Sequence, residues 1–326
     1  QALVILGRLL IQEGDLLTAE AKDANTVVDQ ANEKYRQAIT VLERAQSKDI
    51  LGTTTRRSRY LLGTCYQKLG DLRAATKAYD RVHRAHYRTP EALAAALAEA
   101  EIAQQQGHND VALSMYLKVL EEAGFPSAYQ NPWVSLTELR GRLSAGQQQF
   151  RVSGQFAAAL KMAEAFDPII LADKTAEAKA ETQRTWAEHL IDSATELGYA
   201  DAEVARAEAR RRFRLAADHY RNLARLRFAT AEYPLDLWKS GNGFLRGQNY
   251  NLAIRMLREH LNNVPRKQMP TGLQRCRFNP LDGQMYLVGL FVWCSDQIQP
   301  GGFFRVSYTG KPLYTPTELR IAMNGV

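Results

Sequence analysis

The sequence predicts an all-α fold in which antiparallel helix hairpins stack one after another as an α-solenoid. Three observations lead to this prediction. The composition favours helix-forming residues, glycine and alanine recur at fixed distances within apolar helical runs, and segments with this spacing return along the chain. The chain has 326 residues, of which 45% are hydrophobic and 24% are charged, which is enough for a folded core.

The segment Arg59–Val82, "RYLLGTCYQKLGDLRAATKAYDRV", shows the spacing best. Gly63 interrupts an apolar helical run, and a glycine there costs about 1 kcal/mol relative to alanine. Close approach of a second helix would offset this cost, because only a very small residue lets two backbones come so near. Gly70 suits the left-handed residue that ends a helix, and Asp71 suits the N-cap of the next one. We therefore expect a helix hairpin in which Ala75 faces Gly63.

This segment resembles a tetratricopeptide repeat. Leu62, Gly63 and Tyr66 stand at that family's leucine, glycine and tyrosine positions, and Ala75 and Tyr79 stand at its alanine and aromatic positions. The resemblance implies a right-handed superhelix whose concave groove is lined by the first helix of each hairpin. In such proteins the groove offers an extended surface to a peptide or a partner helix.

The pattern returns at irregular spacings, so we predict about five to six repeats within residues 1–266. The N-terminal copy has its first turn at Gly14-Asp15, and a stretched copy spans Trp186–Leu223. The remaining copies contain the following residues: Ala100, Ala103, Gly107, Ala112, Tyr116 and Val119; Phe150, Gly154, Ala159, Ala163 and Phe166; and Leu237, Gly241, Phe244, Ala253, Leu257 and Pro265.

Residues 267–326 do not follow the repeat pattern. Alanine becomes rare, glycine and proline recur, and two of the three cysteines lie here. Met285–Cys294 and Phe303–Tyr308 are candidate short strands. Two interpretations stay open, a small β-rich cap and a poorly ordered tail translated from a shifted reading frame after Pro265.

The ends of the chain give no prediction of localisation. The sequence starts at Gln1, inside the first helix of a repeat, so we expect a fragment, and a signal peptide or anchor could precede it. Ala2–Ile11 and Met285–Trp293 are apolar but too short to span a membrane.

The sequence offers no catalytic constellation, so we expect neither an enzyme nor a cofactor nor a metal site. Cys65 lies on the apolar side of a helix, and the other two cysteines lack neighbouring metal-ligand pairs. His83 and His86 are three residues apart on a basic helix end, where we expect a solvated terminus. There is no phosphate-binding glycine loop, nucleophile elbow or zinc-binding helix motif.

A basic helix is predicted over Arg206–Arg227, within a stretch of 23 residues that contains eight arginines. Four of them lie within about 60° of one another on a helical wheel, and apolar residues occupy the opposite side. These four are Arg210, Arg214, Arg221 and Arg225. We call these four residues the basic stripe. Together with a formal net charge of +7, the basic stripe could bind nucleic acid or an anionic surface, or it could be a solvated helix face.

The resemblance also indicates which residues would line the groove. Tyr60 and Trp238 are the expected anchors, since large aromatic side chains dominate binding hot spots. The other expected groove residues are Arg57, Thr64, Gln67, Leu97, Glu101, Gln104, Asn242 and Leu245. We expect a non-catalytic scaffold that binds a protein or peptide partner here. The alternatives are nucleic-acid or anionic-surface binding through the basic helix, and a repeat region that serves a larger enzyme.

Overall fold

A computed structural model describes residues 1–20, 25–46, 52–196, 198–263, 273–278, 285–289, 303–307 and 315–318. These ranges contain twelve α-helices and four β-strands. The chain divides into two units, one up to Met256 and one from Leu257.

The helices pair in chain order. They are α1 (Ala2–Glu20), α2 (Asn25–Ala45), α3 (Thr53–Lys68), α4 (Leu72–Ala85), α5 (Pro90–Gln105), α6 (Asn109–Ala123), α7 (Leu136–Val152), α8 (Phe156–Glu164), α9 (Ala172–Ser193), α10 (Tyr199–Leu226), α11 (Tyr233–Arg246) and α12 (Tyr250–Asn263).

Most helices pack against the helix that follows them in the chain, from α1 on α2 to α10 on α11. The buried apolar side chains form a series of clusters along the array, each drawn from neighbouring helices. The predicted all-α architecture is therefore confirmed as a helical, repeat-like solenoid, in which each element is stabilised by its neighbours.

Four hairpins share one turn geometry. Gly70, Gly107, Gly154 and Gln248 have φ values of 80°, 78°, 77° and 58°, so all four adopt the left-handed conformation. In each turn the next residue donates its backbone N–H to the carbonyl five residues earlier, over 2.8 to 2.9 Å. This bond closes the end of the first helix in the manner of a Schellman motif. An alanine lies five residues after each of these turn residues, and these alanines are at most 1% exposed: Ala75, Ala112, Ala159 and Ala253.

The close approach predicted at Gly63 is present, but its partner differs from the predicted one. A Cβ built on Gly63 would lie 2.5 Å from Cε1 of Tyr79, and the three nearest atoms all belong to that ring. Ala75 was the expected partner. It lies instead in a buried cluster with residues of α4 and α5, such as Val82 and Ala98.

The predicted first turn at Gly14-Asp15 is wrong, because α1 continues through both residues to Glu20. A Cβ on Gly14 would lie 2.6 Å from the Tyr35 ring on α2, and the Tyr35 hydroxyl donates a 2.8 Å hydrogen bond to Asp15. Gly14 is therefore a helical glycine packed against a tyrosine ring, like Gly63, and not a turn residue like Gly70. The spacing from Ala31 to Tyr35, which repeats that from Ala75 to Tyr79, was the signal for this register.

The described part of the C-terminal unit contains an antiparallel sheet in the order β1-β2-β3-β4. Its strands are β1 (Leu273–Phe278), β2 (Met285–Gly289), β3 (Phe303–Ser307) and β4 (Thr315–Glu318). Strands β2 and β3 fall within the two predicted strands, while residues 290–294 and 308 of those predictions lie outside the described residues. The register pairs Met285 with Val306 and Tyr286 with Arg305.

None of the helices over the described ranges combines the length and the apolar character that a membrane span requires.

Candidate binding groove

Ion pairs join each odd-numbered helix to the next odd-numbered helix. The nitrogen-to-oxygen distances are 2.7 Å for Lys68–Asp15, 2.7 Å for Arg56–Glu91, 2.6 Å for Arg142–Glu101, 3.6 Å for Arg151–Glu181 and 3.1 Å for Lys239–Glu181. The odd-numbered helices α1 to α11 are therefore neighbours in sequence order. This is the arrangement that a surface lined by the first helix of every hairpin requires.

Helix α3 uses its predicted groove residues largely for internal contacts. Arg57 directs Nε to the buried carboxylate of Glu91 at 3.3 Å. Tyr60 is partly buried where three apolar clusters meet, and its ring centroid lies 5.0 Å from that of Trp133. The Tyr79 hydroxyl donates to Gln67 Oε1 at 2.9 Å, and the Thr64 hydroxyl lies 3.3 Å from it.

Helix α5 repeats this arrangement 37 residues later. The Tyr116 hydroxyl donates to Gln104 Oε1 at 3.1 Å, as Tyr79 does to Gln67, and Gln104 Nε2 donates to the Gly146 carbonyl at 2.8 Å. Glu101 accepts two hydrogen bonds from the Arg142 guanidinium on α7, at 2.7 and 2.6 Å. Leu97 is fully buried. The predicted groove residues of this helix thus hold the array together.

Helix α11 differs, because it leaves the equivalent positions uncovered. Trp238 is 46% exposed, Leu245 is 47% exposed and Asn242 is half-buried between them. Leu235, 51% exposed, extends the same row and had not been predicted. The row has spacings of three, four and three residues, which places its members on one side of a helix.

The repeat alignment relates Trp238 to Tyr60, since each lies three residues before the small residue of its hairpin, Gly241 or Gly63. The same offset relates Leu235 to Arg57. In α3 these positions contact neighbouring helices, whereas in α11 they face solvent. An exposed aromatic and two exposed leucines therefore remain on a face that the interior of the array uses for packing.

Glu181 on α9 is the most connected charged group of this surface. It accepts hydrogen bonds from the Tyr220 hydroxyl at 2.7 Å, from Arg184 at 2.8 Å and from Lys239 at 3.1 Å. Burial alone would raise the pKa of Glu181, but these donors and the charge of Arg184 outweigh it and lower the pKa to about 2. Glu181 is therefore ionised at neutral pH and ties α9, α10 and α11 together.

The four stripe arginines on α10 have unequal surroundings. Arg214 donates to the Gly247 carbonyl at 2.7 Å, and Arg221 pairs with Asp218 at 2.6 Å and lies over the Phe244 ring. Arg225 is exposed and Arg210 is half-buried. Two of the stripe residues are thus used in contacts within the protein.

The other arginines of this region are paired with carboxylates. Arg206 pairs with Glu203 at 2.6 Å, Arg211 and Arg212 both contact Glu208, and Arg227 lies 2.7 Å from Glu177. Arg212 also covers the Trp186 ring, with its guanidinium carbon 3.6 Å from the ring centroid. Such pairing reduces the charge that α10 can offer to a polyanion.

The expected solvated terminus around His83 and His86 is wrong. His83 Nδ1 lies 3.4 Å from Glu99 Oε2, and both side chains are nearly buried. His86 is also buried, and burial lowers its pKa below the ordinary value. Cys65 is a free, buried thiol whose pKa is raised to about 12 by burial. Within the part of the chain that the structure describes, no group of three or more histidine, cysteine or acidic residues could hold a metal ion.

No family model and no curated protein sequence matches this chain. Among solved structures, the chain is similar to BtubC (BKLC) from P. vanneervenii, with 12% sequence identity and a TM-score of 0.31. The match covers 74% of this chain and 91% of that one.

Proposed function

We propose that the chain is an irregular tetratricopeptide-repeat protein that acts as a non-catalytic scaffold and binds a helix or peptide of a protein partner. The partner would dock on α11, with Trp238 as the central contact and Leu235, Asn242 and Leu245 around it. We propose this face rather than the whole row of odd-numbered helices, because the groove residues predicted on α3 and α5 are used inside the array.

The observation that carries the proposal is the exposure of Trp238 at the position where the corresponding Tyr60 is packed. Tryptophan is enriched among residues that dominate binding energy, and it gains most when a partner excludes water from it. The row from Leu235 to Leu245 covers ten residue steps, or about 15 Å of helix. A partner helix of about three turns with an apolar stripe would match that length.

Site-directed photocrosslinking tests this proposal. A photoreactive phenylalanine analogue would replace Trp238 in the full chain, and a matched control would carry it at Tyr199, an exposed aromatic position on α10. In lysate of the source cell, we expect position 238 to crosslink to a distinct protein that position 199 does not capture. Equal crosslinking from the two positions, or recovery of nucleic acid alone, would contradict the assignment.

A double substitution tests whether the exposed row on α11 determines the affinity for this partner. Trp238→Ser with Leu245→Ser should weaken binding of the identified partner at least tenfold, because both side chains are half-exposed and can change without disturbing the core. Tyr199→Ser with Val204→Ser removes two exposed apolar side chains elsewhere and should leave the affinity unchanged. Circular dichroism of all variants checks that the helices are retained.

A further inference from the structure

A cleft of about 670 Å³ lies on the even-numbered helices α4 and α6, where both meet the C-terminal half of α5. Its volume is within the range of about 300–1,000 Å³ that is usual for ligand pockets. The cleft does not include the α11 face, so its occupant can be tested independently of the proposed function.

The lining of the cleft carries an excess of positive charge. Arg73 and Lys77 contribute from α4 and Lys118 contributes from α6. Each is exposed, and none takes part in an ion pair identified among the described residues. Arg84 also lines the cleft, but it is paired with Asp80 at 2.5 Å. Over the described part of the chain, three cations therefore surround the cleft outside any ion pair.

Two carboxylates line the cleft, Asp80 and Glu99, and Glu99 is only 8% exposed. Its buried Oε2 atom has no hydrogen-bond partner among the described residues, and His83 Nδ1 lies 3.4 Å away. Glu99 therefore lies beneath the surface of the cleft rather than among the exposed cations.

Part of the lining is apolar. Ala103 contributes from α5, and Val111 and Met115 contribute from α6, with Val111 more than half exposed. A simple inorganic anion would leave these side chains unused, while an apolar side chain between two acidic ones would cover them. Among the residues that the structure describes, no phenylalanine, tyrosine or tryptophan lines the cleft, so these residues offer no stacking platform of the kind with which proteins bind unpaired bases.

We propose that this cleft binds an acidic peptide segment of a protein partner. Carboxylates of the segment pair with Arg73, Lys77 and Lys118, and an apolar side chain rests on Val111 and Met115. Charge complementarity selects the acidic partner, and the apolar lining selects a peptide over a free anion.

Fluorescence anisotropy tests the proposal with the full chain and two labelled probes. One probe is a ten-residue peptide of repeating Glu-Glu-Leu, and the other has Gln in place of every Glu. We expect the acidic peptide to bind at least tenfold more tightly than its neutral counterpart. The variant Lys77→Gln with Lys118→Gln should lose at least tenfold in affinity for the acidic peptide.

Lys161→Gln with Arg255→Gln is the matched control, because it removes the same charge at two exposed positions outside the cleft. Its affinity should stay within twofold of the parent. The proposal is overturned if the parent binds neither peptide or binds both equally, or if the cleft variant and the control variant behave alike. It is also overturned if a labelled single-stranded oligonucleotide binds more tightly than the acidic peptide and loses that binding in the cleft variant.

Discussion

The Tyr79 ring fills the space that a side chain on Gly63 would occupy, because a Cβ at position 63 would lie 2.5 Å from Cε1 of that ring. The same relationship joins Gly14 to Tyr35 in the first hairpin, at 2.6 Å. A helical glycine opposite a buried tyrosine is thus a recurring device of this array. The tyrosine hydroxyl then reaches a polar side chain on the same odd-numbered helix, Gln67 in one case and Asp15 in the other.

Gly63→Ala should destabilise the protein, although alanine is the better helix former. The added methyl group meets rigid ring atoms, and overpacking of this kind costs about 1–3 kcal/mol. The unfolding free energy from urea titration measures the effect. Gly141→Ala is the control, because a Cβ at that exposed helical position meets no described atom within 4 Å. It should gain about 0.5–1 kcal/mol, and a gain at both positions would refute the packing argument.

The sequence predicted the hairpins better than it predicted their contacts. The spacing between a turn glycine and an alanine five residues later identified three hairpins, because the turn requires a positive φ and the closely packed helices require a small residue. The fourth was identified from Gly241, Phe244 and Ala253, since its turn residue is Gln248. Gly14-Asp15 resembles the turn at Gly70-Asp71 in sequence. A glycine that packs beneath a ring and a glycine that occupies a turn cannot be distinguished by residue type. Only the contact between Gly14 and the Tyr35 ring, 21 positions later in the chain, shows that Gly14 lies within a helix.

The groove residues were harder to interpret from sequence for a related reason. The ion pairs between odd-numbered helices join residues that are far apart in the chain, such as Glu101 with Arg142 and Glu181 with Lys239. Helical periodicity shows which side of a helix a residue occupies, but not which charge on another helix will reach it. Glu181 therefore carried no signal in the sequence, whereas the repeat offset from Tyr60 was enough to predict Trp238 as a groove residue.

Gln248→Gly should stabilise the protein. Gln248 has a φ of 58° at the turn position that glycine occupies in three other hairpins, and a left-handed conformation costs a residue with a Cβ roughly 1–2 kcal/mol. Greater freedom of glycine in the unfolded chain offsets part of that gain, so we expect a net increase of up to about 1 kcal/mol. Thermal and urea unfolding measure it.

The reciprocal change at an equivalent turn is the control for this prediction. Gly107→Ala places a Cβ on a residue with a φ of 78° and should lose about 1 kcal/mol. If Gln248→Gly leaves the unfolding free energy unchanged while Gly107→Ala lowers it, left-handed strain at position 248 is not the reason for the difference.

Glu181→Gln should lower stability at neutral pH and flatten its acid dependence. The folded pKa of Glu181 is about 2, below the ordinary value of 4.5, so its contribution is complete above pH 4.5 and is lost as the pH falls toward 2. The shift corresponds to at most about 3 kcal/mol. Between pH 5 and pH 2 the parent should therefore lose more unfolding free energy than Glu181→Gln. Glu196→Gln, at an exposed position, should follow the parent, and parallel curves for all three proteins would rule out this role of Glu181.

Asp236→Asn should have the opposite pH signature. Asp236 on α11 is 2% exposed, and its Oδ2 accepts no hydrogen bond from the described residues. Arg227 lies 3.8 Å away and is shared with Glu177 and Asp173. Burial outweighs the arginine and raises the pKa of Asp236 to about 6, from an ordinary value of 3.8.

Because the folded protein holds this proton more tightly than the unfolded chain does, the contribution of Asp236 is complete below pH 3.8 and is lost as the pH rises through 6. The parent should therefore lose up to about 3 kcal/mol more than Asp236→Asn between about pH 4 and pH 7. Urea unfolding across that range, with exposed Asp192→Asn as the control, measures the difference in slope. Equal slopes for the parent and Asp236→Asn would mean that Asp236 stays ionised in the folded protein and that Arg227 compensates its burial.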